Sequence, residues 1–410
     1  MTTDPADEPL RPGTSDLRRL NGAMLAAGLA GFGMLYATQP LMPQIADEFD
    51  VSAAASSLTI SAATGALAVC VLPMTLFAEA VGRVRVMRWG LVAAVVLLLL
   101  SATAPSLAVL IGLRALLGVA VAAVVAVAMG HVGAVVHPAA VGATMGLYVA
   151  GNTLGGVGGR VVTAVAGDLA GWRWADATLA AFVAVAVATF WVLLPAPRPV
   201  RATAPRPSSA SLVLPHLRNG ALLRLLVVPF TLMGAFVAVY NYLAFRLVAP
   251  PFSLPVAVVG AVFLAYLSGT ATSVLAGRLA ARSDRRRAVV GWILVMAAGA
   301  AMTVPDQLVV VVVGLVVFTG GFFGAHAVAS GWVPSIARRS DAGVATAPAS
   351  GLYLLAYYAG SSTFGALVGI AWTRDGWTGT VVSVACLVAV ALVAALSVRD
   401  TRPRDVRAGR

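Results

Sequence analysis

The sequence predicts an all-α membrane protein, with twelve transmembrane helices in two pseudo-symmetric six-helix bundles. Three observations point there. Of 410 residues, 60% are hydrophobic and only 11% charged, and the mean hydropathy is +0.92. Too few polar side chains remain to cover a water-facing surface. The apolar residues form twelve continuous runs, each close to the roughly 20 residues that a helix needs to cross hydrocarbon. The two sets of six runs also repeat each other's local words.

The runs are 21–43, 53–76, 87–104, 107–130, 140–164 and 176–195, then 224–248, 255–277, 287–304, 307–330, 345–370 and 379–398. They are continuous rather than alternating, which argues for helices and against a barrel. Residues 196–223 carry Pro197, Pro199, Pro205, Pro207 and Pro215 among serine and arginine, and read as a polar, extended linker. The expected organisation is a tail (1–20), a first bundle (21–195), the linker (196–223), a second bundle (224–398) and a second tail (399–410). The first tail is polar and carries Asp4, Asp7, Glu8 and Asp16, so no secretory signal is expected.

The net charge of +12 comes from arginine, since the chain has no lysine. These arginines cluster between the apolar runs, which marks lipid topology rather than nucleic-acid binding. With the amino terminus in the cytoplasm, 23 arginines fall inside and 3 outside, namely Arg173, Arg246 and Arg374. Arg114 and Arg160 lie within runs. Both termini are therefore expected to be cytoplasmic, in a cell (inner) membrane. The two cysteines, Cys70 and Cys386, sit in apolar stretches and read as small lipid- or core-facing residues.

Gly146-Leu147-Tyr148 recurs as Gly351-Leu352-Tyr353, and Gly171-Trp172 as Gly376-Trp377, both at an offset of 205. Gly112-Leu113 and Gly118 recur as Gly314-Leu315 and Gly320, at 202. Each set has an even number of runs, so the two share one topology, related by an axis along the membrane normal. A site between two such halves can face either side in turn without forming a continuous pore.

The turn from Glu79 through Gly82, Arg83 and Arg85, and its counterpart from Gly277 through Arg282, Arg285 and Arg286, resemble the loop signature of the major facilitator superfamily. Thr75, Glu79 and Ala80 depart from the signature in the first half, and Ala281 and Asp284 in the second. In that family the loop clamps helix ends on the cytoplasmic side and favours one conformation; the alternative is arginines that only enforce topology. Leu110 to Gly118, centred on Arg114, resembles the family's second motif, whose intramembrane arginine is tied to proton coupling. A charge at helix centre costs about 2.5–3.5 kcal/mol, so Arg114 either faces a wet cavity or partner, or snorkels outward.

Gly151, Gly155 and Gly159 are spaced by four and share one helix face, where a second backbone can approach closely. This stretch resembles the superfamily's antiporter motif, although Gly156 replaces its proline and Arg160 its last glycine. Arg160 reads equally as a snorkelling residue or a substrate contact. The run Leu35 to Pro43, Gly146 to Arg160, Tyr240-Asn241-Tyr242 and Gly320 to His326 resemble the YnfM-like branch of the superfamily. That resemblance implies a proton-linked permease, usually an efflux system.

None of the sixteen carboxylates falls in the middle of a run; Asp47, Glu48, Asp50, Asp168, Asp176, Asp306 and Asp375 are assigned to the outer surface. With buried arginine and no buried acid, the expected cavity is positive and prefers anionic or neutral polar solutes to organic cations. Proton coupling is assigned to Arg114 and to His326, the one histidine placed within a run; a lone histidine there is more often a hydrogen-bonded structural residue. His131, His137 and His216 are read as loop residues without metal spacing. Expected substrate contacts, besides Arg114, are Tyr36 and Gln39, Tyr148 and Asn152, Tyr240 and Asn241, and Tyr357, on the four helices that line the superfamily's cavity. Interhelical packing bonds are the alternative for each.

The expected function is alternating-access secondary transport, proton-coupled and exporting a small anionic or neutral organic solute or drug. Uptake by proton symport, and less readily a channel, are the alternatives. An ATP-driven pump needs a phosphate-binding lysine that this chain lacks, and no His/Asp/Glu cluster at helix spacing suggests an enzyme. No cofactor or metal is expected. The expected partners are a small-molecule substrate, protons and the lipid bilayer, with no nucleic acid, and the protein is expected to function as a monomer.

Overall fold

The computed structural model describes residues 9–195, 209–282, 284–340 and 347–398. The first crossing is broken. Thr14 caps α1 (Ser15–Leu35) by accepting from the Leu17 amide, and the chain then passes through a 3₁₀ turn at Gln39–Leu41, with Pro40 in it, into α2 (Met42–Glu48). The rest of the first set comprises α3 (Ala53–Val81), α4 (Arg83–Ser101), α5 (Leu107–Val125), α6 (Ala128–Val135), α7 (Pro138–Ala170) and α8 (Trp172–Leu193). The second set contains α9 (Ser209–Leu217), α10 (Gly220–Val248), α11 (Val256–Val262), α12 (Leu267–Arg282), α13 (Arg285–Met302), α14 (Leu308–Ser340) and α15 (Ala347–Ser397). A 3₁₀ turn at Phe263–Tyr266 joins α11 to α12, and α15 reverses at Gly376, whose φ is 56°.

Among the described residues, nine helical stretches are long and apolar enough to cross a membrane. One of them, Pro348–Ser397, holds two crossings on either side of Gly376. With α7 and α13 the crossings number twelve, in two sets of six. Side chains such as Val69, Val185, Val309 and Leu169 are strongly exposed on the helix surfaces, which suits lipid and not water.

The two sets pair their helices alike. α1 packs on α7 as α10 packs on α15, and α5 packs on α3 and α4 as α14 packs on α12 and α13. A Cβ at Gly151, Gly155 or Gly159 would collide with the carbonyl of Leu25, Leu29 or Gly33 on α1, and one at Gly360 with that of Phe230 on α10. Gly155 and Gly360 are 205 residues apart, so the sequence repeat is also a repeat of helix contact.

Three sequence readings change. The expected linker contains the helix α9, and α10 starts at Gly220 under an Asn219 cap, ahead of residue 224. The apolar Leu212-Val213-Leu214 sequence favours that helix despite the surrounding prolines; residues 196–208 lie outside the described residues. His131 and His216 lie in helices, α6 and α9: α6 extends past the run that ends at 130, and α9 is a separate helix within the expected linker.

Candidate functional site

The break after α1 leaves carbonyls without helical partners. The Arg114 guanidinium on α5 satisfies two of them, its Nη2 donating to the oxygens of Met34 and Leu35 at 3.0 Å each. Arg114 is fully buried, and its Nε and Nη1 have no hydrogen-bond partner among the described residues. The charge acting on it is Asp176, also fully buried and with both carboxylate oxygens unpartnered. The expectations of an unbalanced Arg114 and of Asp176 at the outer surface are therefore both corrected. α8 begins at Trp172 rather than 176, so Asp176 is one turn into the helix and buried. Arg114 holds α1 within the first set, and its described contacts do not reach the second set.

A different arginine stands between them. Arg160 on α7 is 1% exposed. Its Nε donates to Gln39 Oε1 at 2.7 Å, its Nη2 to the Tyr266 hydroxyl at 3.0 Å, and its Nη1 to the Gly156 carbonyl oxygen. The guanidinium carbon lies 4.3 Å from the Tyr266 ring centre, 5.2 Å from that of Tyr36 and 5.6 Å from that of Phe263, all within cation–π range. No carboxylate among the described residues pairs with it. Each terminal nitrogen keeps an uncommitted N–H.

Gln39 carries the arrangement into the second set, its Nε2 donating to Asn241 Oδ1 at 2.9 Å. The Asn241 amide donates to the Gly365 carbonyl at 3.2 Å. The hydroxyls of Tyr36 and Ser361 meet at 3.3 Å, and those of Tyr240 and Thr319 at 2.6 Å. The Tyr240 ring lies 4.5 Å from Tyr266. Four residues singled out from the sequence, Tyr36, Gln39, Tyr240 and Asn241, thus gather around Arg160.

The others extend away from this centre. Tyr148 and Asn152 are further back along α7; Tyr148 is buried, and Asn152 Oδ1 is buried without a partner beside Gly28 of α1. Tyr357 is within electrostatic reach of Tyr36 and Tyr266, and its ring lies 5.0 Å from His326. His326 is half-buried, with Nδ1 2.9 Å from the Tyr353 hydroxyl and its ring against Phe322. Sequence reasoning missed Tyr266, Phe263 and Ser361. Tyr266 sits mid-run in an apolar stretch, where only the 3₁₀ turn aims its ring at α7.

The described hydrogen bonds between the sets lie at mid-depth or toward the face opposite the arginine-rich loops. Beyond those named, Ser362 donates to the Ser61 carbonyl at 2.7 Å, Tyr242 to Ser57 Oγ at 3.2 Å, and the Val256 amide to Asp168 at 3.0 Å. At the arginine-rich face, Glu79 pairs with Arg83 at 3.6 Å across Gly82, whose φ is 109°, and Arg83 donates to the Gly130 carbonyl at 3.0 Å. Arg85 is exposed, and so is Gly277. Arg285 donates to Ser335 Oγ, Arg286 is half-buried, and Asp284 caps α13 through the Arg287 amide. The described loop contacts of Arg83, Arg285 and Asp284 each stay within one set; the side chain of Arg282 lies outside the described residues.

Comparison with known proteins agrees with this architecture. The family model described as Major Facilitator Superfamily matches residues 23–360. The chain is 37% identical to the uncharacterized MFS-type transporter YybF of Bacillus subtilis (strain 168), over 93% of this chain and 94% of the relative. It is also 37% identical to the inner membrane transport protein YnfM of Escherichia coli (strain K12), over 94% of this chain and 91% of the relative. Its fold resembles a bacterial homolog of the human lysosomal transporter Spinster in an inward-facing, unoccupied conformation, with a TM-score of 0.74, 14% identity and coverage of 94% and 96%. It also resembles the nucleoside transporter NupG, with a TM-score of 0.69, 15% identity and coverage of 92% and 98%. With twelve crossings in two matched sets and these likenesses along nearly its whole length, the chain belongs to the Major Facilitator Superfamily of membrane transporters.

Proposed function

We propose that this transporter is a proton-coupled exporter of small organic anions, with Arg160 as the anchor for the anionic group. A single observation carries the substrate class. Arg160 is a buried guanidinium between the two sets that no described carboxylate balances. Taking such a charge out of water costs several kcal/mol, and its amide, hydroxyl and ring partners offset that without neutralising it. An anion supplies the missing charge and takes the uncommitted N–H groups of both terminal nitrogens. A cation meets repulsion there.

Tyr36, Tyr240, Tyr266 and Phe263 surround the guanidinium with aromatic faces, a setting that suits a solute with an apolar body. Gln39 ties Arg160 to Asn241, so an anion that recruits Arg160 competes with a contact between the sets. Binding and the relative motion of the sets are coupled by that competition. In this reading the arginine-rich face is cytoplasmic, the membrane is the bacterial inner membrane, and the protein acts as a monomer.

The test is thermal stabilisation of the purified protein by a panel of monocarboxylates, aromatic carboxylates, dicarboxylates and organic cations. A stabilising carboxylate is then followed in proteoliposomes with a pH gradient of either sign. Stabilisation by a carboxylate that Arg160→Gln abolishes supports the reading, and the sign of the driving gradient separates export from uptake. Stabilisation by cations alone, unchanged in Arg160→Gln, refutes it.

A further inference from the structure

The two sets can be laid over each other at their arginine-rich ends, and there they differ. The buried faces fix the register. Met87, Leu91, Ala94 and Leu98 of α4 recur, 202 residues on, as Val289, Ile293, Met296 and Ala300 of α13. Leu179, Val183 and Phe190 of α8 recur at 205 as Val384, Val388 and Ala395 of α15. A hydrogen bond recurs as well. Arg19 Nη2 donates to the Val192 carbonyl at 3.0 Å, and Arg224 Nη1 to the Ser397 carbonyl at 3.5 Å, with donor and acceptor both shifted by 205 residues.

In the first set this corner, where α1 and α4 start and α8 ends, is filled. Arg88 Nη2 donates to the carbonyls of Trp191 and Leu194 at 3.3 and 3.4 Å, with its guanidinium carbon 5.2 Å from the Trp191 ring centre. Trp89 meets Trp191 edge-on at 5.6 Å. The same register puts Val290, Gly291 and Leu396 in the second set where Arg88, Trp89 and Trp191 stand in the first. Three large side chains give way to smaller ones, and a Cβ at Gly291 meets nothing within 4 Å. An open recess of about 690 Å³ lies at this corner, lined by Arg224, Arg286, Leu396 and Ser397.

Arg286 replaces a valine of the first set, Val84, so charge is gained where bulk is lost. Arg286 is half-buried and Arg224 exposed, and neither is in an ion pair among the described residues. Asp284, two residues before Arg286, caps α13 through the Arg287 amide. The Ser397 carbonyl takes one N–H of Arg224, at the long end of hydrogen-bond distances. Two guanidiniums lining one recess without a carboxylate suit a phosphate group, which can accept from both forks. Further into the hydrocarbon, Val393 on α15 and Leu294 on α13 are 67% and 52% exposed, an apolar surface that acyl chains can cover. We propose that this recess binds the phosphate group of an anionic phospholipid in the leaflet at the arginine-rich face, clamped by Arg224 and Arg286, with its chains along Val393 and Leu294. The site exists once per chain, because the first set holds its own arginine and two tryptophans at the equivalent corner.

The test is native mass spectrometry of the purified chain titrated with phosphatidylglycerol. One retained lipid per chain is expected, and none with a diacylglycerol of the same chains, which lacks the phosphate. Arg224→Gln with Arg286→Gln should weaken binding by about tenfold or more. Arg18→Gln with Arg85→Gln, exposed arginines at the same face of the first set, removes as much charge and should leave binding as it is. Gly291→Trp with Leu396→Trp keeps both arginines but rebuilds the tryptophan pair of the first set, and should also expel the lipid. Inorganic phosphate at millimolar concentration separates the sources of the group. Competition that depends on Arg224 and Arg286 supports a phosphate site open to soluble phosphate as well, and no competition supports a site for the lipid alone. The proposal is overturned if phosphatidylglycerol binds wild type and the Arg224/Arg286 variant equally, or if the control pair weakens binding as much. Retention of diacylglycerol to the same degree, or undiminished binding with the tryptophan pair in place, overturns it too.

Discussion

Arg114 and Arg160 both lie within apolar runs, Arg160 about a turn from the outer end of its own, and the pattern around Arg114 made it the stronger candidate. Their surroundings reverse that order. Arg114 holds two helix-end carbonyls and has a buried carboxylate only within electrostatic reach, while Arg160 has neutral partners and aromatic faces from both sets. A charge-assisted hydrogen bond contributes about 1.5–3 kcal/mol, so Arg160→Gln should weaken binding of an anionic cargo by about tenfold to 150-fold, read as a dissociation constant by calorimetry. Arg160→Lys should recover only part of that loss, since an ammonium lacks the planar fork that meets Gln39 and Tyr266 together. Gly155 gives a second test at this scale. Gly155→Ala puts a methyl group against the Leu29 carbonyl and should destabilise by about 1–3 kcal/mol, seen as a lowered melting temperature in detergent. Gly142→Ala, where a Cβ meets nothing within 4 Å, should not lower it.

Helix ends at the face opposite the arginine loops are held by two arginines that look alike in role but come from unrelated positions. Arg173, from the start of α8, donates to the carbonyls of Ala102 and Ala104 after α4 and pairs with Glu48. Arg246, from the end of α10, donates to the carbonyls of Thr303, Val304 and Pro305 after α13 and pairs with Asp306 at 3.0 Å. Each lies over a tryptophan, Trp172 or Trp377. Topology counting identified both only as the few arginines on the outer side. Arg246 is nearly buried, whereas Asp306 is 66% exposed, so the carbonyl contacts matter more than the ion pair, which solvent screens. Arg246→Ala should therefore cost about 1–3 kcal/mol through the unsatisfied carbonyls, and Asp306→Asn well under about 1 kcal/mol. Parallel thermal melts compare the two.

At the scale of the whole molecule, the two sets touch along α3 and α15. Ser362 donates to the Ser61 carbonyl, and a Cβ at Gly65 would lie 3.4 Å from the Ser362 Cβ, close to the spacing of about 3.5–4.5 Å in a disulfide. Gly65→Cys with Ser362→Cys, in a background without Cys70 and Cys386, should cross-link on mild oxidation and arrest transport. Reduction should restore the flux. Undiminished flux in the oxidised, cross-linked protein would mean that the sets need not separate here, which is incompatible with alternating access by this route.

Sequence by itself determined the class, the number of crossings and the duplication, because burial in lipid is a demand on every residue of a run and leaves a periodic, local trace. It also picked out Tyr36, Gln39, Tyr240 and Asn241, polar groups that hydrocarbon would not tolerate without partners. Only the tertiary structure decided which arginine is balanced. Asp176 lies 62 positions from Arg114 in the chain, and Tyr266 lies 106 from Arg160. Opposition of charge across helices depends on where each helix starts and how it is rotated, and a shift of one turn at the start of α8 was enough to carry a carboxylate from the surface into the interior, within electrostatic reach of a buried guanidinium.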